Sequence, residues 1–267
     1  MTEESKSNKL FKDWKMQMWL GRKSYEQGKY MVAAEKFHKA LNDLETAAVH
    51  DECLAVTLNN LALCYCAQGK HKEADPLYQR ALSIDQSSGS ASKLMLAEDF
   101  SNIASHYRKQ DMYAQAEPLY HQALNIWKKE LGEDSAEVAR CLNNLGMLYS
   151  EQDRSEAALE HFKKALTIKE TIYGSRSKEY AETLVNLAAT YCDLNRCEEA
   201  DPLFDKGIQI LEYSLDPIHS ELIDAMEAYL IHLRKVGRTE KAQEVESDIE
   251  TFKKRGARAR QREQRQA

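Results

Sequence analysis

Asn60, Asn102, Asn144 and Asn186 stand one every 42 residues along the chain. A primary amide carries two donors and an acceptor with two lone pairs. A ladder of such groups can hold the main chain of a bound peptide whatever its sequence. Asparagine is a mediocre helix former, so propensity does not account for its return at one position. The plain alternative is that each amide bonds a neighbouring helix backbone or simply solvates a wall. Lys109 and Arg140 are the cations of the same wall positions, among Glu98, Glu151, Glu182 and Asp193, and could capture an acidic side chain between the asparagines. Such exposed charges are also ordinary on a helix.

Other chemistry finds less support. The chain lacks a glycine-rich phosphate loop, an HExxH and a GxSxG, and His71, His106, His121 and His161 read as scattered over turns and helix surfaces, so an enzyme is not expected. Six cysteines form no CxxC pair and read as reduced thiols. Cys64 and Cys66, two apart on a helix, point to different faces, which argues against a shared metal. No cofactor and no metal are expected.

The elements that carry these residues follow from the repeat. Leu58, Leu61, Ala62 and Tyr65 make one helical stripe, helix A. Ala74, Leu77, Tyr78, Ala81 and Leu82 make a second, helix B, after the polar turn Gln68-Gly69-Lys70. The same stripes recur at Tyr107, Tyr149 and Tyr191, and at Tyr120, Phe162 and Phe204, in four full units. A fifth unit begins near Trp14, and a sixth, degraded one follows Met226, with Glu246 where the others hold an aromatic, as expected of an end that faces water. Small residues at Ala62, Ala104, Gly146 and Ala188 face Ala74, Ala116, Ala158 and Ala200, so the large aromatics read as packing and not as a ligand box. Pro76, Pro118 and Pro202 are tolerable only near a helix start, which places the B-helix starts close to Lys72, Ala114 and Glu198. Pro217 suits a loop between units.

The run from Leu58 to Tyr65 with the run from Gly69 to Leu82 resembles the tetratricopeptide repeat, in its 42-residue kinesin light chain type, over roughly residues 15 to 250. The resemblance implies an all-α fold, a right-handed α-solenoid of antiparallel helix pairs, whose A helices line a concave groove for extended peptides or short helices. It also implies that the recurring asparagines act as clamps on the peptide. In the first unit Trp19 falls near the equivalent position. No heptads precede the repeats, so binding to a kinesin heavy chain is not implied. The wall charges are mixed, unlike an all-basic carboxylate clamp.

These readings divide the chain into a polar segment 1–13, a single repeat domain 14–252, and a basic tail 253–267. The domain holds about six helix pairs, at 14–54, 55–96, 97–138, 139–180, 181–222 and 223–252. The tail carries +6 of a total −6, leaving −12 on the remainder. Without interleaved aromatics or an RNA-binding motif, the tail argues against specific nucleic-acid recognition. The composition is 43% hydrophobic and 30% charged, with no apolar run near eighteen residues, so no membrane span is expected. The polar first residues do not read as a secretion signal, and a cytoplasmic location is expected. The functional expectation is a non-enzymatic adaptor that takes a protein or peptide ligand in the groove. The alternatives are a scaffold or homo-oligomer using exposed helix faces, and a nucleic-acid-associated factor using the tail. The oligomeric state is not legible.

Overall fold

The computed structural model describes the backbone of residues 3–47, 51–87, 93–214 and 220–266, and the side chains of residues 9–45, 53–87, 93–213 and 221–254. Pro217 lies outside the described residues. Within them every regular element is an α-helix, and the helices alternate as the stripes require. The A helices are α1 (Glu3–Glu26), α3 (Asp51–Ala67), α5 (Lys93–Arg108), α7 (Ala136–Glu151), α9 (Lys178–Asp193) and α11 (Ser220–Lys235). The B helices are α2 (Tyr30–Ala47), α4 (His71–Ser87), α6 (Tyr113–Leu131), α8 (Ser155–Tyr173), α10 (Cys197–Ser214) and α12 (Thr239–Gln266). They group into two compact units, Met1–Glu130 with α1 to α6, and Leu131–Ala267 with α7 to α12.

Each A helix ends in the same tight device. Gly28, Gly69, Asp111, Asp153, Asn195 and Gly237 take positive φ, between 58° and 75°. Only glycine, or a short polar residue that can bond locally, adopts this conformation without large strain. The next N–H then reaches the carbonyl five residues back: Lys70 N to Tyr65 O at 2.8 Å, Arg154 N to Tyr149 O at 2.9 Å, Arg196 N to Tyr191 O at 2.8 Å. Those cations also lie over the rings they follow, Arg154 at 4.2 Å from the Tyr149 centroid and Arg196 at 4.6 Å from that of Tyr191.

The B helices start one residue before the expected points, at His71, Tyr113 and Cys197. The prolines nevertheless fall at the sixth residue of each, past the positions whose N–H has no helical partner. The residues whose carbonyls lose that donor, Lys72, Ala114 and Glu198, are exposed, as are the prolines themselves. Water can take the donor's place there, which is why a proline this deep is tolerated.

The aromatic stripe is core. Tyr78, Tyr120, Phe162 and Phe204 are each at most 1% exposed. A Cβ on Gly146 would stand 2.6 Å from Cε1 of Phe162, so glycine here is a condition of close helix approach. Gly146→Ala is expected to cost about 1–3 kcal/mol of stability by overpacking, read from urea denaturation. The polar N-terminal segment is helical within α1 from Glu3, and Phe11 stacks on Trp14 at 5.4 Å while Trp14 Nε1 donates to Thr57 Oγ1 at 2.9 Å. At the other end Glu246 is exposed and pairs with Arg234 at 2.8 Å. The basic segment continues α12 as helix to Gln266, and its side chains from residue 255 on lie outside the described ones.

Candidate functional site

Within each unit, some of the positions opposite the buried stripe of helix A line a cavity. In the first unit Val56, Asn60 and Leu63 of α3 and Glu98 and Asn102 of α5 line one cavity of about 360 Å³. Met95 and Arg22 complete its walls. Asn60 and Asn102 are half-buried, neither sealed in the core nor fully in water. Asn60 Nδ2 donates to Val56 O, one turn back, at 2.7 Å, so one of its two N–H donors is used within its own helix, and the second N–H and the oxygen remain for other work.

The cavity has a polar floor that the repeat pattern does not announce. Asn59, Asp85 and Asp99 line it, and they are 7%, 3% and 1% exposed. Asn59 Nδ2 donates to Asp99 Oδ1. The second amide atom, Asn59 Oδ1, is buried without a hydrogen-bond partner. Burial, and then the Asp85 carboxyl beside it, push Asp99 up to about 8. Near neutral pH the Asp85–Asp99 pair therefore holds a proton and carries less than two negative charges.

In the second unit Met147 of α7 and Glu182, Asn186 and Ala189 of α9 share a cavity of about 370 Å³ with Asn143 and Val185. Asn186 Nδ2 stands 3.4 Å from Asn143 Oδ1, which also accepts from Thr183 Oγ1 at 3.2 Å. Lys169 of α8 is 7% exposed and donates to Thr183 Oγ1 at 2.8 Å. Burial lowers its affinity for the proton, against the pull of Glu182 and Glu179. Lys169 occupies the repeat position of Asp85, and Thr183 that of Asp99. The same seam thus buries carboxyls in one unit and an ammonium in the other.

The remaining expected residues are placed as follows. Asn144 is half-buried on α7 and enters neither of these cavities. Arg140 is exposed and lines a third cavity with Glu137, Glu179, Glu182, Lys169 and Tyr173, so its surroundings are acidic already. Lys109 is exposed just past α5, where its charge acts on Cys66 and His106. Trp19 is exposed, with Lys23 Nζ 5.1 Å from its ring centroid.

The histidines need correction. His106 is not on a surface: it is 2% exposed, with Nε2 2.6 Å from Asp75 Oδ1 and Nδ1 3.0 Å from Cys66 Sγ. The signal was present in the repeat, since the equivalents of His106 are Cys64, Leu148 and Thr190. Burial holds His106 below the ordinary imidazole range, and the Asp75 carboxylate pulls the other way.

Paired antiparallel helices at a 42-residue period define an α-solenoid, a class whose units pack only on their neighbours and whose wall positions stay open. The tetratricopeptide repeat profile matches residues 16–87, 96–171 and 181–221. The chain belongs to the tetratricopeptide repeat family. Solved structures share the fold, among them the following three. BtubC (BKLC) from P. vanneervenii is 20% identical, with 90% of this chain and 91% of that one aligned at a TM-score of 0.66. A Podosopora anserina protein described as a kinesin light chain with nearly identical TPR-like repeats is 18% identical, over 74% and 94% of the two chains, at 0.60. A Rap protein complexed with competence and sporulation factor is 15% identical, over 92% and 76%, at 0.70. No curated protein matches the chain. Among the described residues no helix is long and apolar enough to cross a membrane.

Proposed function

We propose that this chain is a non-enzymatic protein–protein interaction module that holds a peptide segment of a partner against its A-helix wall, in the cytoplasm. The observation that carries the reading is the first-unit cavity, where Asn60 and Asn102 from successive A helices meet apolar Val56, Leu63 and Met95 over the Asn59, Asp85 and Asp99 floor. Carboxamides with aliphatic neighbours suit an extended main chain and its side chains together. Within the second unit Asn186 and Asn144 would offer amides of the same kind, and Lys109 in the first unit and Arg140 in the second are the wall cations that acidic groups of a ligand would meet. The Rap structure, whose partner is named as a factor bound to it, is in keeping with ligand binding by this fold.

The test is capture of partners from lysate by the wild type and by an Asn60→Ala/Asn102→Ala double variant. Loss of the captured partner is expected, with stability within about 0.5 kcal/mol of wild type, as for substitutions outside a core. Equal capture by a folded double variant would remove the wall from the account. A scaffold reading has one observation in its favour: α1 exposes Met16 and Trp19 at 55% and 57%. It requires a solution mass that rises with concentration, and Trp19→Ala would abolish that rise.

A further inference from the structure

The end of α3, the start of α4 and the middle of α5 meet at a cluster the wall does not use. Cys66 Sγ, a His71 ring nitrogen and a His106 ring nitrogen all lie within 4.8 Å of one another. Among the described residues they are the one group of three such donors drawn this close. His71 Nδ1 is buried and has no hydrogen-bond partner. The His71 and His106 rings stand 5.4 Å apart between centroids. Asp75 Oδ1 stands 2.6 Å and Gln110 Nε2 2.9 Å from His106 Nε2, and with the proton on Nε2, shared with Asp75, the lone pair of Nδ1 faces Cys66. A carboxylate behind an imidazole in this way is the arrangement that orients metal-bound histidines.

The four residues also travel together. Three repeats further on, Cys66, His71, Asp75 and His106 become Cys192, Cys197, Asp201 and His232. The two intervening repeats hold Arg108, Tyr113, Glu117 and Leu148, then Ser150, Ser155, Leu159 and Thr190. There too the carboxylate backs the histidine, with His232 Nε2 3.1 Å from Asp201 Oδ1. His232 Nδ1, whose counterpart on His106 faces Cys66 Sγ, is buried without a partner. Packing alone does not require cysteine, an imidazole or thiol, and a histidine to be replaced together and restored together.

We propose that Cys66, His71 and His106 form a binding site for one divalent cation of the zinc class, with Asp75 as the group that orients His106. One sulfur and two imidazole nitrogens suit zinc over magnesium or calcium, and a solvent molecule completes four-coordination. With metal bonds of about 2.3 Å to sulfur and about 2.0 Å to nitrogen, neighbouring donors in a tetrahedron stand about 3.5 Å apart. Cys66 Sγ and His106 Nδ1 already stand 3.0 Å apart, and a shift of the His71 side chain, at the first residue of α4, would bring the third donor to that spacing. The bound ion would replace the thiol proton of Cys66 and tie the α3–α4 turn to α5. The string Cys66, His106, Asp75 is also that of a nucleophilic thiol. His71 separates the two readings, because its ring nitrogen brings a third donor to the cluster that a nucleophile does not need.

The experiment titrates zinc, and separately cobalt(II), into the reduced, chelator-treated full chain and into Cys66→Ser. The wild type is expected to bind one equivalent more than Cys66→Ser and to show a thiolate-to-cobalt charge-transfer band that is weaker or absent in the variant. Asp75→Asn should keep the band and weaken affinity by about 10–100-fold, the usual effect of losing an orienting carboxylate. His71→Ala, at a helix start and outside the core, should also lose the equivalent, and it stands in if Cys66→Ser does not fold. Equal zinc stoichiometry in the wild type and a folded Cys66→Ser or His71→Ala would overturn the proposal, as would a wild type that binds none.

Discussion

Phe162→Ala is expected to destabilise the protein by about 3–5 kcal/mol, with the loss concentrated on α7 to α9. Phe162 is 1% exposed, and its ring fills the space that Gly146 leaves open on the facing helix. Truncation removes the transfer free energy of the ring and leaves a cavity that two helices pinned at close approach cannot collapse to fill. Repeats contact only their neighbours, so stability sums over adjacent pairs and a local deletion stays local. Hydrogen exchange should therefore show deprotected amides on α7, α8 and α9, while α1 to α4 keep their protection. A uniform loss along the chain would mean that all repeats unfold as one. The pairing with Gly146 has its own test: Gly146→Ala should cost less in a Phe162→Leu background than alone, because a smaller side chain makes room for the added methyl.

What the sequence made legible was whatever recurs. The stripes, the turn and the wall asparagines each appear in several units, so comparison of the chain with itself isolates them, while Glu246 stands out by breaking a stripe that four units keep. The floor of the cavities was invisible for the same reason. Asp85 and Lys169 occupy a position that holds Trp127 and Leu211 in the sister repeats, and Asp99 and Thr183 one that also holds Cys141. Residues that depart from the pattern drop out of a search for constancy, although a polar group where a relative buries tryptophan must find partners or shed its charge. The prolines show a different limit. Their effect depends on whether water reaches the carbonyl one turn back, which is a property of the assembled surface and not of the local sequence.

Asp99 makes a prediction whose sign is set by burial. The folded-state value of about 8 lies above the roughly 3.9 of an exposed aspartate, so between these values the native state binds more protons than the unfolded one. Stability associated with this group is fully present below about pH 4 and is lost as pH rises through about 8, with a limiting slope of about 1.4 kcal/mol per pH unit. The causes are burial first, then the hydrogen bond and charge of Asp85, with Glu98 adding a little in the same direction and the Asn59 amide opposing it. Asp99→Asn keeps the shape and cannot ionise. Its denaturation free energy should change less between pH 5 and pH 8 than that of the wild type, and the two curves should converge toward acid and part toward base, with the variant the more stable at pH 8. Parallel curves would mean that Asp99 ionises inside the fold as readily as outside it, and the cavity floor would then be two full charges. That matters for the wall above, because a floor that gains a charge near neutral pH would draw a basic side chain of a bound peptide more strongly as pH rises toward 8. Binding measured across that range in the wild type and in Asp99→Asn should accordingly differ in slope for a lysine- or arginine-bearing ligand.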